Sequence, residues 1–143
     1  MRRFDRRAIL TVLAAAMPVM AGARARAAPP ANHAPFVAQA FAMRQQAIDS
    51  GDQAYGAVVV RNGEIVGFGP SRVVVKKDWT AHAEREAVRD AQARLGRDEL
   101  SDCVIYSTSR PCSDCEQAAA QARIARMYVG AEARDAGAPR AAR

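Results

Sequence analysis

The strongest constraint on this chain is a pair of short motifs with 26 residues between them. The first is His82-Ala83-Glu84 and the second is Pro111-Cys112-Ser113-Asp114-Cys115. Together they provide one imidazole, two thiols and one carboxylate. Imidazole and thiolate are ligands that zinc prefers, and a catalytic zinc takes three protein ligands and leaves a fourth position for water. The fold must therefore bring two distant segments to one point.

The local spacing supports metal binding. Cys112 and Cys115 are three residues apart, so the first turn of a helix places them on one face. Pro111 suits a helix start, where no amide hydrogen is required. The positive end of that helix and a metal both favour the thiolate form. Each motif alone is weak, but the ordered pair predicts a zinc site formed by His82, Cys112 and Cys115.

Hydrophobic periodicity predicts alternating helices and strands around these motifs. Asn62-Gly63 is a strong hairpin signal, and Thr80 is a candidate helix cap. The run Val73-Val74-Val75 either extends the sheet or lines a loop. The predicted elements are, in order, helix 36–48, strand 56–60, strand 65–69, a helix from 81 to about 95, strand 103–108, helix 112–123 and strand 125–129.

These elements predict an α/β fold with one mixed sheet of about four or five strands and helices on both faces. The last two strands are joined by a helix, so we expect them to be parallel with a right-handed crossover. Beyond Gly130 the chain is rich in Ala, Gly, Arg and Pro. This composition predicts a disordered tail over residues 132–143.

The two motifs match the H-x-E…P-C-x-x-C signature of the zinc-dependent nucleobase deaminases. The chain thus resembles the cytidine and deoxycytidylate deaminase superfamily, nearest to its guanine deaminase and tRNA adenosine deaminase branch. The resemblance implies a three-layer α/β/α fold, with the zinc-binding deaminase domain at residues 28–131. It also implies Zn²⁺ as cofactor and hydrolytic removal of an amino group, as ammonia, from a small nucleobase, nucleoside or related heterocycle.

The resemblance assigns roles to further residues. Glu84 would move protons between water, the ring and the departing amine, and the backbone amide of Ala83 would help to hold the base. Ser71 stands where the branch typically has a base-reading Asn. Arg110 replaces the usual Glu before Pro-Cys; it binds an anionic group of the substrate or pairs with the nearby aspartate of the second motif. Trp79 packs against the substrate or covers the core.

Residues 1–27 have the pattern of a twin-arginine export signal that is cleaved. Arg6-Arg7 precedes an apolar run, residues 8–22, which is short for a membrane span and contains Pro18. Ala25-Arg26-Ala27 offers a small-x-small cleavage site. We expect a periplasmic or secreted protein without a stable membrane anchor; a retained N-terminal anchor is the alternative.

The charge of the chain lies mainly in this leader. Residues 1–27 carry six arginines and one aspartate, whereas the remainder carries 15 basic and 14 acidic side chains. This balance argues against a large nucleic acid as substrate and favours a small molecule. The pocket is either more open than in relatives or completed by a second subunit in a homodimer.

Two other classes of protein compete with an enzyme. A non-catalytic zinc-stabilised domain could keep the metal ligands, although a purely structural zinc site does not need Glu84. A thiol–disulfide protein could use Cys112 and Cys115, but a thioredoxin-like order of strands is not evident. The third cysteine, Cys103, lies in an apolar strand and is expected to be buried.

Overall fold

The structure is a computed structural model that describes residue 27 and residues 29–141. The leader predicted at residues 1–27 therefore lies outside the described residues, except for Ala27. Within the part of the chain described, no helix has the length and apolar character needed to cross a membrane. The elements are α1 Ala34–Asp49, β1 Gly56–Arg61, β2 Glu64–Pro70, α2 Val73–Lys76, α3 Ala83–Leu95, β3 Cys103–Ser107, α4 Ser113–Gln121, β4 Arg126–Val129 and β5 Arg134–Gly137.

The strands form one mixed sheet in the order β2-β1-β3-β4-β5. Strand β1 pairs antiparallel with β2 and with β3, and β5 pairs antiparallel with β4. Strands β3 and β4 are parallel, as predicted from the helix between them. Because β1 lies antiparallel beside β3, its beginning aligns with the end of β3, which the order of elements along the chain does not reveal.

The sheet carries helices on both faces, which confirms the predicted three-layer α/β/α fold. Side chains of β1 alternate between the two faces, as the pleat of a strand requires. Val58 and Val60 pack in a cluster with Phe36 of α1, while Ala57 and Val59 pack in a second cluster with residues of α3 and α4.

Glycines on β2 let α3 approach the sheet very closely. A Cβ atom at Gly69 would lie 2.0 Å from the Ala83 carbonyl oxygen, and one at Gly67 would lie 2.3 Å from the Ala87 carbonyl oxygen. The two glycines are two residues apart and so face the same side of the strand. This contact fixes the first turns of α3, the helix that begins directly after His82.

The predicted hairpin is present. The run Val73-Val74-Val75, however, forms neither the strand nor the loop that the sequence offered as alternatives. Asn62 and Gly63 have φ of 49° and 77°, the positive values that a type I′ turn requires. Residues 73–76 form the short helix α2 rather than a strand or loop. The Asp52 carboxylate accepts the N–H groups of Val74 and Val75, each at 2.9 Å, and stabilises this turn.

The predicted helix start at Thr80 was wrong. The Thr80 hydroxyl donates to Asp78 and accepts from the Arg89 side chain, and the Thr80 amide also donates to Asp78. Helix α3 instead has His82 as its N-cap residue. Helix α4 likewise begins one residue after Cys112, its N-cap residue.

The prediction of a disordered tail over residues 132–143 was wrong for the segment that forms β5. Tyr128 of β4 pairs with Asp135 of β5, and an ion pair joins the side chains of Arg126 and Asp135. The pairing of β5 with β4 and the ion pair across the two strands stabilise this segment, although its residues are small.

Candidate metal centre and active site

The N-termini of α3 and α4 meet and bring the predicted metal ligands together. The Nδ1 atom of His82 lies 3.6 Å from the Cys112 sulfur and 3.4 Å from the Cys115 sulfur. Ligand atoms of these three residues all lie within 4.8 Å of one another. We refer to His82, Cys112 and Cys115 as the ligand triad.

The geometry of the ligand triad fits zinc. Tetrahedral zinc with Zn–S near 2.3 Å and Zn–N near 2.0–2.1 Å separates its nitrogen and sulfur ligands by about 3.6 Å. Burial raises the pKa of the Cys115 thiol above its ordinary value, and the negative charge of Glu84 and the adjacent Cys112 add to this effect. A bound cation reverses that preference because it stabilises the thiolate. The residues present therefore suit a divalent metal, and nitrogen with two sulfurs favours zinc.

Glu84 is placed beside the ligand triad rather than within it. It lies in the first turn of α3 and is 6 % exposed. The Ser107 hydroxyl, at the end of β3, donates a hydrogen bond of 2.6 Å to Glu84 Oε1. A buried carboxylate needs such a donor, and the carboxylate also has a hydrogen-bond contact with the Cys115 thiol of the ligand triad.

A cavity of about 170 Å³ opens in front of Glu84. We call it the Glu84 cavity. It contains two ligand-triad residues, so a bound molecule would contact the metal ligands and the carboxylate at once. Its lining residues are Tyr55, His82, Ala83, Glu84, Ser109, Arg110 and Cys112.

The residues expected to contact substrate divide into two groups. Ala83 and Arg110 line the Glu84 cavity, whereas Ser71 and Trp79 do not. Ser71 is fully buried, and its hydroxyl donates to Asp52 at 2.9 Å.

Trp79 is 74 % exposed, so it does not cover the core. It lines a separate cavity of about 30 Å³ with His82, Cys115 and Asp114, among other residues. This volume is close to the share of about one water molecule in the liquid, roughly 30 Å³, so the cavity is too small for a heterocycle.

The sequence did not single out three residues at this site: Tyr55, Ser107 and Ser109. Ser107 is the last residue of the apolar strand β3, and Ser109 lies in the polar segment that leads from it to Pro111. Polar side chains at the end of a buried strand, directly before a metal motif, are a usable signal. Tyr55 gave no such signal, because it reaches the site through the pairing of β1 with β3.

The sheet, the two helix N-termini and the ligand triad define an α/β protein in which a His/Cys/Cys group that could hold one metal ion lies near a buried carboxylate. The family model of the cytidine and deoxycytidylate deaminase zinc-binding region matches residues 30–131. The chain belongs to this deaminase family.

Named relatives agree with this assignment. The chain is 36 % identical over 106 residues to the guanine deaminase of Bacillus subtilis, covering 73 % of this chain and 68 % of the relative. It is 34 % identical over 96 residues to the tRNA-specific adenosine deaminase of Aquifex aeolicus, covering 67 % and 64 %. The crystal structure of the Bacillus subtilis guanine deaminase superposes with a TM-score of 0.67 at 35 % identity, covering 70 % of this chain and 64 % of that one.

Proposed function

We propose that this protein is a zinc-dependent hydrolytic deaminase of a small aminated nucleobase, nucleoside or related heterocycle. The observation that carries the proposal is the position of Glu84, buried, hydrogen-bonded to Ser107 and facing a cavity that also exposes two zinc-type ligands. A zinc site that only stabilises a fold has no use for a carboxylate so placed. The non-catalytic alternative therefore leaves Glu84 unexplained.

The residues divide the chemistry between them. The ligand triad would hold Zn²⁺, which lowers the pKa of a bound water and so supplies a nucleophile near neutral pH. Glu84 accepts a proton from the attacking water and delivers protons to the ring nitrogen and the leaving amine. Oxygen adds to the amine-bearing carbon, the carbon–nitrogen bond breaks, and ammonia leaves. Ala83 lies in the cavity wall, where its backbone contributes to holding the base.

The small-molecule substrate is part of the proposal. The chain spans roughly two thirds of the length of the guanine deaminase and tRNA-specific adenosine deaminase relatives, and their substrates divide between a free base and a tRNA. The near balance of charges outside residues 1–27 favours the small substrate. Two cations near α2 and α3 also favour the small substrate. Lys76 and Arg89 are both paired with Glu86, so they are less available to bind the phosphates of a tRNA.

The test is ammonia release by the zinc-loaded protein. Substrates are cytosine, adenine, guanine, their nucleosides and pterin, with an anticodon stem-loop RNA as the nucleic-acid arm. We expect turnover of at least one small heterocycle and a loss of at least about 100-fold in Glu84→Gln. Zinc content, measured by atomic absorption, should be the same in both proteins because Glu84 is not a ligand.

Three results would count against the proposal. If the Glu84→Gln protein were active, Glu84 would not be the group that transfers the protons. Exclusive deamination of the RNA would transfer the function to tRNA editing. Silence across the whole panel, with zinc bound, would favour the non-catalytic zinc-stabilised domain.

A further inference from the structure

We propose that Arg110 selects a heterocycle that carries an anionic substituent, a carboxylate or a phosphate. The proposal rests on the deaminase function above and names its substrate class. Arg110 lines the Glu84 cavity and is exposed, one residue before the proline that introduces α4. Its guanidinium therefore stands at the mouth of the cavity rather than at its floor.

The Arg110 side chain has no ion-pair or hydrogen-bond partner among the residues that the structure describes. The sequence offered Asp114 as one, but Asp114 lines the small cavity on the Trp79 side of the ligand triad. Among the described residues, no ion pair or hydrogen bond is made by the Arg110 side chain. Other arginines are engaged, for example Arg97 with Asp102 at 2.7 Å. A planar fork of donors is thus free to bind a carboxylate or phosphate in bidentate fashion.

The size of the cavity indicates where the anionic group would lie. About 170 Å³ is less than the roughly 300–1,000 Å³ of a typical ligand cleft, so it accommodates a ring and little else. Any substituent on the ring must extend past the rim, where the exposed side chains of Tyr55 and Arg110 lie. The one acidic residue in the described lining is Glu84, which is buried at the floor. An aromatic face and a cation at the rim suit a planar ring bearing a negative group.

Residue 110 sets the charge of this rim, and it is an arginine. A positive charge there attracts an anionic substituent, whereas a carboxylate at the same position would repel it. Because Arg110 belongs neither to the ligand triad nor to the proton-transfer step, its charge affects selectivity without altering the ligand triad or Glu84.

The experiment compares matched neutral and anionic substrates. The pairs are guanosine with guanosine 5′-monophosphate, cytidine with cytidine 5′-monophosphate, and pterin with pterin-6-carboxylate, so each pair differs by the anionic group alone and phosphate and carboxylate are tested separately. The proteins are the wild type, Arg110→Gln, Arg110→Lys, and Arg134→Gln as a control in an exposed arginine outside the cavity. Each protein is loaded with zinc, and circular dichroism verifies its fold.

We expect wild type to prefer the anionic member of at least one pair. Arg110→Gln should lower kcat/KM for that member by about 10- to 100-fold, mainly through KM, and change the neutral member by less than about twofold. Arg110→Lys should recover part of the loss because it keeps the charge without the fork. Arg134→Gln should behave as wild type.

Binding separates this proposal from the deaminase function. Isothermal titration on zinc-loaded Glu84→Gln protein, with and without Arg110→Gln, measures affinity for the same anionic compounds without turnover. Weaker anion binding in the double variant supports Arg110 even if no compound is deaminated. Equal loss for neutral and anionic partners, a wild-type preference for neutral substrates, or deamination of the stem-loop RNA in preference to every small anion would overturn the proposal.

Discussion

At the scale of single residues, the contact between Ser107 and Glu84 holds the carboxylate in place. The hydrogen bond is 2.6 Å long and joins two buried side chains from different elements. We predict that Ser107→Ala lowers kcat by about tenfold with little change in KM, because a freely rotating carboxylate loses its alignment with the reacting atoms. Steady-state kinetics on the best substrate of the panel measures both constants.

A hydroxyl at residue 107 is what this explanation requires. Ser107→Thr keeps that hydroxyl and should retain most of the activity. If the threonine variant were as slow as the alanine variant, packing at the end of β3 rather than the hydrogen bond would be responsible.

At the same scale, the sequence predicted that His82, Cys112 and Cys115 lie together, and the structure brings their ligand atoms within 4.8 Å of one another. This was predictable because each motif lies at a helix start and zinc has strict ligand preferences; their role as zinc ligands stays a prediction. Ser71 was different: its burial and its bond to Asp52 depend on a segment 19 residues away. The pattern of residues around Ser71 carries no trace of that partner.

At the scale of elements, the close contact between β2 and α3 sets the position of the first turn of α3. A side chain at Gly69 would meet the Ala83 carbonyl oxygen at 2.0 Å and the Ala87 amide nitrogen at 2.5 Å. We predict that Gly69→Ala lowers the free energy of unfolding by about 3 kcal/mol and weakens zinc binding, because α3 must shift and His82 precedes it directly. Urea denaturation and competition with a zinc chelator provide the two measurements.

Gly130→Ala is the matched control for this change. Gly130 has φ of 75°, and a Cβ atom there meets nothing within 4 Å. Its replacement should cost about 1 kcal/mol through backbone strain alone and leave zinc affinity unchanged. Equal effects of the two substitutions would show that the contact between β2 and α3 does not position the ligand.

The short helix α2 depends on a single carboxylate. Burial opposes ionisation of Asp52, but hydrogen bonds from Val75, Gln53, Ser71 and Val74 outweigh it and hold the pKa below the ordinary 3.8. Because the pKa is lower in the folded state, the stabilisation is present above about pH 4 and is lost as the pH falls through the folded pKa.

Asp52→Ala should therefore destabilise the protein by about 1–2 kcal/mol at pH 7. The difference from wild type should shrink below pH 4. Thermal unfolding between pH 3 and pH 8 measures it, with Asp49→Ala as a control in an exposed carboxylate of α1. If the stability difference between wild type and Asp52→Ala were constant across this pH range, the charge of Asp52 would not contribute to stability.

At the scale of the whole molecule, the sequence predicted the layers but not all neighbours. Short apolar runs bounded by turn residues were sufficient to predict β1, β2 and β3, and the helix between β3 and β4 required parallel pairing. The position of β1 between β2 and β3 depends on pairing between segments that are far apart in the sequence. It pairs Ala57 with Ser107, and continuing that register places Tyr55 opposite Ser109 in the cavity wall. Strand β5 was not predicted for the same reason, because its pairing with β4 is what stabilises it.

The leader and the metal site also make a joint prediction about the whole molecule. Cys112 is exposed, and a disulfide with Cys115 in an oxidising compartment would remove two of the three zinc ligands. A twin-arginine route carries folded proteins, so zinc bound in the cytoplasm would protect both thiolates during export. We propose that Arg6-Arg7 directs this route, which would reconcile the proposed zinc–thiolate site with the proposed export.

The prediction is that Arg6→Lys with Arg7→Lys retains the precursor in the cytoplasm, whereas Arg2→Lys with Arg3→Lys does not. The two double variants conserve charge, so they separate a specific twin-arginine signal from a general need for basic residues. Cell fractionation with immunoblotting gives the location, and the exported protein should contain about one zinc per chain. Equal export of both variants would exclude the twin-arginine route. A metal-free periplasmic protein with Cys112 and Cys115 oxidised would instead contradict loading before export.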